Sequence, residues 1–201
     1  MIYPSILEEL INYLKKLSGV GEKTAERLAL SLMNLKKDEL DQLSLVLKNL
    51  SVELKKCSIC GHITDKKICS ICESETRSKN VICVVEDYKS VFMFERVGSY
   101  KGVYHVLDGL ISPIDGVTPD DINISSLIAK VKKDPKEKYE VILALKPSIE
   151  GETTTLYISK LLEKYNVKVS RLSYGIPMGV EIDYLDSMTL ERALRDRKQI
   201  S

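Results

Sequence analysis

The stretch CSICGHITDKKICSIC, residues 57–72, constrains this chain more than any other. Four of its five cysteines fall there, spaced C-x2-C-x8-C-x2-C at Cys57, Cys60, Cys69 and Cys72. Each CxxC knuckle offers two thiolates at the bite of one tetrahedral ion, and the short segment between them lets the pairs face each other. The spacing predicts one structural Zn²⁺ per chain. Two disulfides or a redox CxxC pair are the competing readings, and a doubled knuckle in so short a segment disfavours both. Four thiolates fill the coordination shell and leave no position for a catalytic water, so the metal is read as a folding staple. Lys55, Lys56, Lys66 and Lys67 flank it and are read as offsetting its negative charge. His62 is read as a loop residue, and Cys83, inside VICVV, as a core residue.

Around that staple the pattern changes character. Before it, Ile6, Leu7, Leu10, Ile11, Leu14 and Leu17 recur at helical spacing behind Ser5-x-x-Glu8, which fits a capping box. A second helix carries Ala25, Leu28, Ala29 and Leu32 on its inner stripe. A third, from about Asp38 to Leu54, carries Leu40, Leu43, Val46, Leu47, Leu50 and Leu54. After the staple, SETRSKN (74–80) reads as a polar linker. Four apolar, β-rich runs follow at 81–85, 102–107, 140–145 and 167–172, with helical patterns at about 88–97, 120–133 and 152–165. Strand–helix alternation predicts a parallel sheet with covering helices. A last helix begins near Thr189. The fold class is therefore α/β and multidomain, with boundaries at 1–54, 55–76, 77–172 and 173–201.

Between the first two helices the chain reads LSGVGEKTAERLAL, residues 17–30. Gly19-x-Gly21 permits a tight turn. It also brings backbone N–H groups out at the positive end of the second helix, a setting that suits a phosphate. Lys23 and Arg27 stand one turn apart on that helix and reach the same side. The stretch resembles a helix-hairpin-helix motif, which grips the DNA backbone without reading sequence. A plain turn between helices with a solvated basic face is the other reading, and Glu22 and Glu26 favour it.

A second place for chemistry lies at the strand ends. Glu86 follows the first strand, and Glu150 and Glu152 follow the third. Acids at the C-terminal ends of neighbouring parallel strands converge where α/β sheets bind ligands, and an acid-x-acid pair suits Mg²⁺. Alternatively they are helix-start acids complementing the macrodipole. The final helix carries Arg192, Arg195, Arg197 and Lys198, read as a solvated face because Glu191 and Asp196 interleave.

The net charge of +1 announces no global nucleic-acid field, so a DNA partner would meet a local patch. No run of 18 apolar residues exists, and the N-terminus lacks the parts of a signal peptide, so a cytoplasmic protein with no membrane partner is expected.

Taken in order, the hairpin, the four-cysteine site and an α/β half with Glu86 and Glu150-x-Glu152 resemble the bacterial RecR recombination mediators. The segments 100–117 and 144–153 look like that family's Toprim domain, and GIPMGVEIDYLDSMTLERAL (175–194) like its C-terminal motif. The resemblance implies a non-enzymatic DNA-binding protein of recombinational repair. It would act with RecO, and in some pathways RecF, to load RecA on single strands coated by single-strand-binding protein. It implies sequence-independent binding of single-stranded, double-stranded or gapped DNA through Gly19, Gly21, Lys23 and Arg27. It implies partner or ion contacts at Glu86, Glu150 and Glu152, with Mg²⁺ allowed but not required. Ring-like homo-oligomers, built as a tetramer or dimer, belong to the same expectation, as does a place at the nucleoid. The sequence departs from the family at Val180, where a second glycine usually follows Gly179, and at Lys146, where asparagine is common. A Mg²⁺-dependent Toprim enzyme acting on nucleic acid, such as a nuclease or a primase-like protein, is the alternative function. A zinc-stapled scaffold with no DNA role ranks last.

Overall fold

The computed structural model describes residues 2–134, 136–173, 175–176 and 178–197. It divides into two compact units, Met1–Leu54 and Lys55–Ser201. Among the described residues no helix is long and apolar enough to cross a membrane.

The first unit holds α1 (Ser5–Leu14), α2 (Glu22–Leu32) and α3 (Lys37–Glu53). The anticipated capping box does not form. Pro4 is the N-cap, and its carbonyl accepts from Leu7 and Glu8 at 2.9 and 3.0 Å, so Ser5 is already helical. Proline's fixed φ suits that entry. Leu7 and Ile11 of α1 pack on Ala25 and Ala29 of α2, with Tyr3, Leu10, Leu14 and Val20 around them. Small residues on α2 let the two helices lie close. The stripe on α3 behaves differently from the expectation: no residue of α3 is buried, and Leu47 stands 62 % exposed.

The second unit begins with a short antiparallel ribbon, β1 (Lys55–Lys56) and β2 (Ile63–Thr64), and a single turn, α4 (Ser70–Glu73). There follow β3 (Ser78–Val85), α5 (Tyr88–Val97), β4 (Gly102–Val106), α6 (Ile124–Lys133), β5 (Tyr139–Ala144), α7 (Ile149–Leu162), β6 (Val167–Arg171) and α8 (Ser187–Arg195). The four longer strands form one parallel sheet in the order β4-β3-β5-β6. Strand β3 is buried on both faces. Ile82 and Val84 join a core with Leu127 and Val131 of α6 and Ile158 and Leu162 of α7. Cys83 and Val85 join another with Val91 of α5 and Tyr104. Continuous apolar character, rather than alternation, is what such a strand requires.

Residues 74–80 are not a linker. Strand β3 starts at Ser78, and Arg77 grips Glu95 of α5 through two guanidinium bonds of 2.9 and 2.6 Å. Tyr104 donates to the same carboxylate at 2.7 Å. The polar letters that suggested solvent are partners in a fixed ion pair.

Both sheet edges are managed. At the β4 edge, Val106 donates its N–H to the Cys60 carbonyl at 2.8 Å, so the cysteine segment lies along the strand. At the β6 edge, Lys168 pairs with Glu140 and Arg171 with Glu152. Covering and charging are two standard ways to keep an edge from pairing with another chain.

Helix α7 begins unusually close to the exit of β5. A Cβ on Gly151 would overlap the Lys146 carbonyl oxygen, and that neighbour is backbone and cannot rotate away. Gly151→Ala should therefore destabilise the fold by about 2–3 kcal/mol, within the range of overpacking. Urea unfolding followed by circular dichroism measures it, and an unchanged midpoint contradicts this packing.

Candidate metal centre and nucleic-acid interface

Cys57, Cys60, Cys69 and Cys72 bring their sulfurs within 4.8 Å of one another. The Cys60 and Cys69 sulfurs lie 3.6 Å apart. A zinc–sulfur tetrahedron with bonds of about 2.3 Å has edges near 3.8 Å, so this set fits the ion. Backbone amides already point at the sulfurs, from Cys69 to Cys57 at 3.3 Å and from His62 to Cys60 at 3.5 Å. The thiols also pull one another's ionisation in opposite directions. Cys69 accepts from Cys60 and Cys72 and is held far below the ordinary thiol range, while its hydrogen bond pushes Cys60 up to about 12. A cluster like this needs a cation to hold all four as thiolates.

The charges around the cluster differ from the expectation. The Lys56 ammonium pairs with Asp108 at 2.6 Å, and Lys55, Lys66 and Lys67 are exposed. A further cation lies at the cluster: Lys130 of α6 lines a cavity with Cys72, its ammonium pulled down by burial while the four thiols favour the charged form. Sequence reading missed it, although a signal exists: Lys130 follows Leu127 by three positions and precedes Val131, so it borders the buried stripe of α6. His62 is a loop residue, as read, but a buried one. It is 6 % exposed, its ring meets Phe92 edge-on at 4.8 Å, and its carbonyl accepts from Cys57 at 2.7 Å. Cys83 is a core residue, as read.

In the first unit, Gly19 takes φ +81°, a conformation costly for other residues. Gly21 does not: it is the N-cap of α2 with φ −81° and ψ 174°, extended backbone open to any residue. Val20 between them turns inward onto the hairpin core. No side chain caps α2, so the first-turn amides keep their donors for another acceptor. Lys23 and Arg27 are exposed on that helix, and no acid among the described residues pairs with either. Glu22 is drawn instead to Lys15. The hairpin thus brings Gly19, Gly21, Lys23 and Arg27 to one turn and the helix that leaves it.

The three acids do not form one cluster; the four cysteines are the only metal-capable group among the described residues. Glu86 leaves β3 and pairs with Lys146 at 3.4 Å. Glu150 and Glu152 lie in the first turn of α7, behind the N-cap Ser148. The Ser148 hydroxyl donates to Glu150 at 2.6 Å and holds that carboxyl below its usual range. Glu152 pairs with Arg171 at 3.3 Å and with Arg192 of α8 at 3.4 Å, and Arg171 also reaches Asp196 at 3.3 Å. Arg192 is therefore not part of a free solvated face, whereas Arg195 pairs along its own helix with Glu191. Lys198 lies outside the described residues.

Beside the thiols, His105 of β4 is fully buried. Its Nε2 lies 2.6 Å from the Asn123 carbonyl, which can only accept, so Nε2 carries the proton. Nδ1 then accepts from the Lys130 ammonium at 2.9 Å. Burial first, and the Lys130 charge second, pull this imidazole down to about 3 from 6.5. The sign follows directly. Below 6.5 the unfolded chain binds a proton that the folded chain refuses, so stability falls as pH falls toward 3. Between about pH 7.5 and about pH 5.5 the wild type should lose roughly 1 kcal/mol more than His105→Gln, read from urea midpoints. Equal losses contradict a buried neutral imidazole.

Comparison with known proteins places these parts in one frame. Residues 7–50 match the family model for the RecR helix-hairpin-helix. Residues 54–74 match that for the RecR four-cysteine zinc finger domain, 80–173 the Toprim domain, and 175–198 the RecR C-terminal region. Over 200 residues, spanning both chains completely, the sequence is 46 % identical to the "Recombination protein RecR" of Staphylococcus aureus strain MRSA252. The same identity and coverage hold for the protein of that name from strain JH9.

Proposed function

This chain belongs to the RecR family of recombination proteins, and on that premise we propose that it is a non-enzymatic, DNA-binding mediator of recombinational repair. It works in the cytoplasm at the nucleoid, with RecO and in some pathways RecF. Its task is to help RecA load on single strands coated by single-strand-binding protein. The observation that carries the DNA role is the hairpin: uncapped amides at the start of α2 beside two exposed, unpaired cations. That arrangement suits phosphates on any sequence. Zinc in the four-thiol site is structural.

The state of the acids supports mediation over Mg²⁺ catalysis. Glu86 and Glu152 are held by the chain's own cations, and Glu150 by a hydroxyl. We assign Glu86 and Glu150 to contacts with RecO. The uncovered apolar stripe of α3, with Val46, Leu47 and Leu50 all exposed, supports self-association, since contiguous exposed apolar residues commonly mark an interface.

Two measurements test this reading. In gel shifts on gapped duplex DNA with Mg²⁺, the wild type should retard the DNA uncut and Lys23→Ala/Arg27→Ala should do so only at much higher protein concentration. The slope of log K against log salt should fall by nearly 2, about 0.9 per lost phosphate contact. Unchanged binding removes the hairpin from the interface, and cut DNA restores the enzyme reading. Leu43→Glu/Leu47→Glu should reduce the particle mass in light scattering; an unaltered mass removes α3 from the subunit contact.

A further inference from the structure

The zinc segment and α6 enclose a cavity of about 180 Å³. Cys72 and Ile59 line it from the zinc side, Lys79, Ile82, Val103 and Tyr139 from the sheet, and Lys130 and Lys133 from α6; the Lys79 ammonium is taken up by the Cys72 carbonyl at 2.7 Å. Lys130 is half-buried there, on a helix whose neighbouring positions Leu127 and Val131 are core. A lysine in such a place loses hydration unless something holds its charge. His105 supplies one acceptor at 2.9 Å, but a neutral imidazole offers no counter-charge. Cys72, one of the four zinc ligands, lines the same cavity. All four thiols favour the charged form of Lys130, against the burial that opposes it. A zinc ion with four thiolates carries a net charge of −2, because four negative sulfurs outweigh one divalent cation.

We propose that Lys130 is the counter-cation of the zinc centre, held in place by the chain Lys130–His105–Asn123, so that zinc retention depends on a residue outside the zinc segment. Lys130 lines the same cavity as Cys72, and its charge offsets the excess there. His105 fixes its position, because the Asn123 carbonyl sets the imidazole tautomer and leaves Nδ1 to accept. Outer groups that steady a metal's ligands commonly alter its affinity by about 10- to 100-fold when removed. Lys132, two positions on along the same helix, is exposed and lines none of this cavity, so it serves as the neighbouring control. The proposal rests on zinc filling the four-thiol site, so metal content comes first: full-length wild type should hold one zinc by mass spectrometry, and none overturns the zinc reading itself.

The test is a competition titration of the full chain against a chromophoric zinc chelator. Lys130→Met keeps the stem and removes the charge, Lys130→Arg keeps the charge, and Lys132→Met loses an exposed charge nearby. Lys130→Met should bind zinc about 10- to 100-fold more weakly, with Lys130→Arg and Lys132→Met close to wild type. Circular dichroism monitors the fold throughout, and Lys130→Gln replaces the methionine variant if that fails to fold. A charge-free variant that folds and holds zinc as tightly as wild type overturns the proposal. So does a folded Lys130→Arg that loses as much affinity as Lys130→Met, since packing rather than charge would then be responsible.

Discussion

The Val106 amide bonded to the Cys60 carbonyl joins the two halves of the larger unit's architecture. Strand β4 is the outer strand of a parallel sheet, yet all five of its residues are buried. That is possible only because something lies along it. The cysteine knuckle does so, and the knuckle's own shape depends on four sulfurs meeting around one point. Backbone bonding at the sheet edge and sulfur geometry at the metal site are thus two ends of one constraint. The side-chain packing agrees with it: Ile71 of the zinc segment packs against the core that holds Tyr104.

This coupling separates two kinds of zinc site. An autonomous finger carries its small core with it, and its metal supplies most of its folding energy. Here the segment's core is little more than its own cysteines, with Ile68 and Ile71 beside them. It borrows the rest from the sheet, and the sheet borrows an edge cover in return. The hairpin unit is the opposite case. Its core is four small and medium side chains joining two helices, which suffices to hold a turn but leaves α3 without a partner among the described residues.

Much of this was legible in the residues because the determining interactions are local. Two CxxC knuckles define a ligand set by spacing alone, and continuous apolar runs define strands buried on both faces. The glycine turn between two helical patterns marked the hairpin, although only Gly19 needs its special φ. What stayed hidden depends on distance in space. SETRSKN looks like a linker until Arg77 meets Glu95, eighteen positions later in the chain. Ser5 fits a capping box, but Pro4 starts the helix one residue earlier. The acid-x-acid pair invites a cation, and for Glu152 the cations are arginines from β6 and α8. Lys130 reads as one more surface lysine in a lysine-rich helix until α6 is laid against the knuckle.

The two edges of the sheet are guarded by different physics, and that sets how each is lost. The β4 cover is held by sulfur, so oxidants that attack thiols act on that side. The β6 guard is held by ion pairs on partly exposed side chains, which screening by salt weakens. Oxidative stress and high ionic strength therefore work on opposite sides of one sheet, each opening a different surface to strand addition from another chain.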